Sequence, residues 1–287
     1  MTKSVKETKI YSLLTDTRIY SILIIILTAI PFITPIAFPV KVSPWTQSVY
    51  DLVQNAPSGS NIMIAVSFTP GGWGEAGYES KAFVAHCFKK NLKLFFIADP
   101  VCSEGVMMAE RVINELRSTI ITPLGKTYGV DWVNLGVVSG GTPAAAQMAL
   151  DFHSVIKVDY FGNSLKDLAI TKNIQGVHDF YMVFEPMTGP GFPVKEYWCY
   201  VYHLPYVQGT QYLTISRDIG DWQSGLYAGF IPGQRGAAEY ELLTGNFMDA
   251  TKALGAINMS HIFALLVLAA GNIYYWTHRK RDIPGVT

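Results

Sequence analysis

Two long runs without a charged residue, one near each end, constrain what this chain can fold into more than any motif between them. The first covers residues 19–40 (IYSILIIILTAIPFITPIAFPV), between Arg18 and Lys41. As a helix, about 22 residues rise roughly 33 Å, enough for a hydrocarbon core of about 30 Å. Pro31, Pro35 and Pro39 fall in its second half. Each removes a helix hydrogen bond, so regular helix is expected through Ile30, with a kinked or unwound exit beyond it. A cleavable signal peptide is the alternative, but its apolar region would be about 7–15 residues followed by small ones. This run is longer and ends Ala37-Phe38-Pro39. It reads as a retained anchor.

The second run covers 256–276 (AINMSHIFALLVLAAGNIYYW), ending in Tyr274, Tyr275 and Trp276 before His278, Arg279, Lys280 and Arg281. Aromatic belts followed by basic residues mark a membrane exit. Lys3, Lys6, Lys9 and Arg18 precede the first run, whereas the inner flanks carry chiefly Lys41 and Lys252. Positive charge stays cytoplasmic. The expected arrangement is therefore a multi-pass protein of the cell (inner) membrane, in contact with membrane lipid. Cytoplasmic tails cover 1–18 and 277–287, spans cover 19–40 and 256–276, and an extracytoplasmic domain covers 41–255. Asn258, His261 and Asn272, in or beside the second span, are expected to bond helix to helix or to headgroups.

Composition agrees with this. Only 15% of residues are charged and 49% are hydrophobic, against about 25% charged in average usage. Lys+Arg of 22 balance Asp+Glu of 22, which speaks against nucleic acid as a partner, since that needs a basic face. Cys87, Cys102 and Cys199 are too few and too scattered for a disulfide framework or a zinc site. No cofactor or metal is indicated.

Between the runs, buried-strand and helix patterns alternate. Residues 62–68 (IMIAVSF), 92–98 (LKLFFIA), 131–138, 179–185 and 212–216 read as strands; 79–91, a segment opened by Ser103-Glu104, one opened by Gly140-Gly141-Thr142-Pro143, and 194–203 read as helices. Thr142 would cap its helix with Pro143 in the first turn. Residues 42–55 read as a short amphipathic helix leading into the first strand. Continuous apolar strands alternating with helices imply a parallel sheet covered on both faces. The expected fold class is α/β, a Rossmann-like or flavodoxin-like three-layer domain.

Ligands of such sheets bind at the carboxyl ends of the strands. Ser139, Gly140, Gly141 and Thr142 form the best expected anion site there, because glycine exposes the free N–H groups of a helix start. The alternative is a tight capped turn. Gly71-Gly72-Trp73-Gly74-Glu75-Ala76-Gly77 is glycine-rich but lacks the dinucleotide spacing. Cys102, beside a helix start that favours thiolate, is a weak catalytic candidate together with Asp99 or Glu185. Ser216, Arg217 and Asp218 are expected after the fifth strand. His86, His153, His178 and His203 are isolated and form no metal-binding pair. Small residues at Gly225, Gly229, Gly233, Gly236 and Ala237 suggest either a smooth helix face for close packing against a partner or a glycine-broken loop.

The segment from Pro35 to Pro44 (PIAFPVKVSP) with Tyr50-Asp51, the Gln223-Ser224-Gly225 start, the block Gly236-Ala237-Ala238-Glu239-Tyr240-Glu241 and Gly271-Asn272-Ile273 resemble a group of prokaryotic membrane proteins with two transmembrane helices around an α/β domain. That resemblance implies architecture and carries over no activity or catalytic residue. Three function classes follow. The first is a structural or interaction protein assembling with itself as a homo-oligomer or with other membrane subunits. The second is an extracytoplasmic binding or sensory domain for a small anionic ligand. The third is a membrane-tethered enzyme.

Overall fold

The computed structural model describes residues 16–34 and 40–278. The chain divides into two compact units, one made of the terminal segments and the other of Val40–Ala250.

In the terminal unit, helix α1 (Thr17–Ile33) starts at Asp16, whose Oδ1 accepts the Arg18 N–H at 2.9 Å. It runs through Pro31 rather than stopping at Ile30, and the Thr34 N–H closes it on the Ile30 carbonyl at 2.8 Å. One proline removes only one helix bond, so helix persists to the following turn. At 17 residues α1 rises only about 26 Å. The expected exit through Pro35 and Pro39 lies outside the described residues, as do the basic residues of both tails except Arg18 and His278. The C-terminal helix Asp249–His278 has 30 residues. Its portion Asp249–Thr277, with mean hydropathy 1.9, is the one described helix long and apolar enough to cross a membrane. Asn272 is satisfied within this helix, its Nδ2 donating to the Leu268 carbonyl at 2.8 Å.

The central unit is built on six parallel strands: β1 (Asn61–Ala65), β2 (Lys93–Ala98), β3 (Trp132–Val137), β4 (Phe180–Pro186), β5 (Tyr206–Thr210) and β6 (Gly229–Pro232), in the order β3-β2-β1-β4-β5-β6. The chain builds outward from β1 to β3, then crosses back to place β4 on the other side of β1. That is the Rossmann order rather than the flavodoxin one, with its switch point between β1 and β4. Ile62 and Ile64 face α2 (Tyr78–Lys89), where the Phe83 and Phe184 rings stack at 4.1 Å. Met63, Ala65, Phe95 and Val133 face the opposite layer, containing α3 (Gly141–Leu150) and Trp198, whose indole N–H donates to the Ala145 carbonyl at 2.9 Å.

Two strand assignments differ from expectation. The fifth strand is 206–210, not 212–216; Tyr212–Thr214 is a single 3-10 turn leading into α4 (Ile215–Gln223). Its Leu213 side chain is 90% exposed, so apolar residues there mark no buried strand. The glycine run is divided among a turn, a strand and a helix. Gly225 lies in the turn after α4, Gly229 starts β6, and Gly233, Gly236 and Ala237 belong to α5 (Gly233–Thr244). The expected amphipathic helix is present as α6 (Pro44–Gln54, numbered last because it packs on the last strand). It lies on β6, and a Cβ at Gly229 would come within 2.7 Å of Val49. Gly229, Gly233, Gly236 and Ala237 are buried within the domain, so their smallness serves internal packing.

Candidate functional site

The turn expected to bind an anion does form after β3. Gly140 precedes α3 in a left-handed conformation (φ 106°), and Gly141 is its first residue. The helix therefore starts before Thr142, which makes no capping bond with its side chain. Ser139, Gly140 and Thr142 are exposed. This is a tight strand-to-helix turn on an open surface.

Two of the three weak catalytic candidates, Cys102 and Glu185, meet the loop after β4, and the three form no reactive arrangement. Asp99 Oδ1 accepts the Val101 N–H at 2.7 Å. Cys102 Sγ lies 3.7 Å from the Pro190 carbonyl, which its thiol faces as donor. Burial pushes the Cys102 thiol up, with Asp99, Glu104 and Glu185 adding to the effect, the reverse of the expected thiolate. Glu185 is buried and held by three donors. Its Oε1 accepts the Ser67 hydroxyl and the Phe192 N–H at 2.9 Å each, and its Oε2 accepts the Tyr206 hydroxyl at 2.7 Å. Burial still raises its pKa to about 7, against the pull of these donors and Lys195. These bonds tie β1, β4, β5 and the loop after β4 together across the switch point.

Beside this clamp, at the carboxyl ends of β4 and β5, a pocket of about 150 Å³ is lined by Met187, Thr188, Gly189, Gln208, Thr210, Gln211, Thr214 and Arg217. Gln208 pairs with Glu185 in the β4–β5 register. It is 1% exposed, yet its Oε1 has no hydrogen-bond partner. A buried carbonyl left this way costs about 1–3 kcal/mol, and such groups call for an explanation. On the opposite wall Arg217 is oriented by Asp218, whose Oδ1 accepts from Arg217 Nε at 3.2 Å and Nη2 at 3.0 Å. Asp218 is fully buried, and its Oδ2 accepts the Thr210 and Thr214 hydroxyls at 2.7 Å each. Arg217 and Asp218 thus lie at the strand end where they were expected, although on a helix.

The other face of β5 carries a buried acid. Glu79 of α2 is fully buried, and burial pushes its pKa well up against the pull of the Gly233 and Thr210 backbone N–H groups. It fills the space that a side chain at Gly209 would take, 2.3 Å from an ideal Cβ there. Glu79 is not among the residues that line the pocket and fills core space between α2 and β5.

A larger cavity, about 390 Å³, lies at the amino ends of β5 and β6 among Cys199, Tyr200, His203, Tyr206 and Leu226. None of the buried side-chain atoms without a partner belongs to its lining, and burial pushes the Cys199 thiol far up. The smaller pocket is the better site because it is at the ligand-binding edge and holds a polar group with nothing to bind.

Sequence reasoning missed Gln208, Thr188, Thr210 and Thr214. A glutamine inside an otherwise apolar stretch was the available signal. Among the described residues no cluster of three or more His, Cys, Asp or Glu is placed to hold a metal ion. Comparison of the chain with protein-family models, with curated proteins and with solved structures finds no match.

Proposed function

We propose that this chain is a membrane-anchored α/β domain that binds a small polar ligand at the carboxyl edge between β4 and β5. Gln208, a lining residue of that pocket whose buried Oε1 has no partner, carries the reading. Support for the anchor comes from the C-terminal helix, of whose most apolar window only 17% is buried; a soluble core helix would be mostly covered. Basic residues outside both apolar runs favour cytoplasmic tails and an extracytoplasmic domain.

Binding is favoured over turnover because Cys102 faces a carbonyl rather than a base, and Asp99 is occupied as a cap. Four of the five small residues named for assembly, Gly229, Gly233, Gly236 and Ala237, are buried within the domain, while Gly225 is exposed. The test is a thermal-stability screen of the full chain in mild detergent against small polar metabolites of every charge. A stabilising compound is expected whose effect disappears in Gln208→Leu. Stabilisers that act equally on wild type and Gln208→Leu would sink the reading.

A further inference from the structure

We infer that the β4–β5 pocket takes a small organic anion carrying a hydrogen-bond donor next to its acidic group, with a hydroxy carboxylate as the simplest form. This rests on the binding reading above and adds the chemistry of the ligand.

The only formal charge among the lining residues is the guanidinium of Arg217. Asp218 pairs directly with that charge and engages one edge of the fork, through Nε and Nη2. A guanidinium has five N–H donors, and the Arg217 side chain is 61% exposed, so donors beyond those bound by Asp218 are open to a ligand. Asp218 is saturated by Thr210, Thr214 and Arg217. It therefore serves as a fixed backing that holds the guanidinium in one orientation, ready for a carboxylate or phosphate oxygen. Gln208 lines the same pocket, and its buried Oε1 has no partner, so a ligand O–H or N–H brought to it would remove a standing penalty. About 150 Å³ gives room for an anion of a few heavy atoms.

The experiment is calorimetric titration of the full chain in mild detergent with glycolate, acetate, glycolamide and inorganic phosphate. Glycolate is expected to bind about tenfold more tightly than acetate, which lacks the donor, with glycolamide not detected; tenfold is the scale of one hydrogen bond. Arg217→Ala, at an exposed side chain, should weaken glycolate at least about tenfold, and Arg217→Lys should recover only part of it. Gln208→Leu should bring glycolate down to the level of acetate. Glycolamide binding as tightly as glycolate, unaffected by Arg217→Ala but lost in Gln208→Leu, would overturn the anion assignment and leave the pocket reading intact. Phosphate binding unaffected by Gln208→Leu would overturn the donor requirement. Absence of binding by all four probes would overturn the inference, while the wider metabolite screen decides the pocket reading separately.

Discussion

The two strand-end turns on opposite sides of the sheet make an instructive pair. The turn after β3 has what a motif search looks for, two glycines at a helix start, yet its backbone lies on an open surface and no buried group there lacks a partner. The carboxyl edge of β4 and β5 has no recognisable motif. It has an open pocket, an oriented cation and a buried amide oxygen with no partner. Free N–H groups on a surface turn are satisfied by water at little cost, whereas an orphan carbonyl in the interior is a standing penalty. Burial, more than glycine content, separates a binding edge from a turn.

The largest difference between the two sides should appear in pH dependence. Glu185 has an ordinary value of 4.5 and a folded value of about 7, a gap that corresponds to about 3 kcal/mol. The folded chain holds this proton more tightly than the unfolded one, so the stability it contributes is complete below 4.5. It is lost as pH rises through about 7, and Glu79 acts in the same direction. Hydrogen exchange of the slowest sheet amides, at pH 5 and pH 8, should show this fall, and Glu185→Gln should remove about 3 kcal/mol of it. An unchanged slope in that variant would mean Glu185 is ionised and stable where it sits.

A smaller effect is expected at the two glycine positions. At Gly209 a Cβ would meet Glu79 at 2.3 Å and the Pro186 backbone at 3.0 Å, so Gly209→Ala should cost about 2 kcal/mol. Gly141 has φ 51° and nothing within 4 Å of a built Cβ; Gly141→Ala should cost only the left-handed strain, about 1 kcal/mol. Chemical denaturation followed by exchange protection distinguishes them, and the reverse ranking would break the contrast. Smallest of all, Ser139→Ala and Thr142→Ala should change stability by less than about 0.5 kcal/mol and leave glycolate affinity unaltered. A loss of affinity in either would return the site to the turn after β3.

How much was legible follows from the same physics. β1, β2 and β4 are near-continuous apolar runs because both faces are covered, and they were readable to within a few residues. β5 (YVQGT) was not, because its inward positions include Gln208 and Thr210 and its other face accommodates Glu79 through Gly209. β6 (GFIP) was hidden in the glycine run because Gly229 yields to α6. Strand order depends on long-range pairing that no local pattern encodes. Arg217 and Asp218 were placed at the correct strand end, but the pocket depends on which polar group lacks a partner, and that exists only in three dimensions.

The most direct measurement is backbone hydrogen exchange on the full chain with and without saturating glycolate. Slower exchange confined to residues 187–189 and 208–217, with 139–145 unchanged, is what a ligand seated between β4 and β5 produces. Protection at 139–145 with none at 208–217 would contradict it.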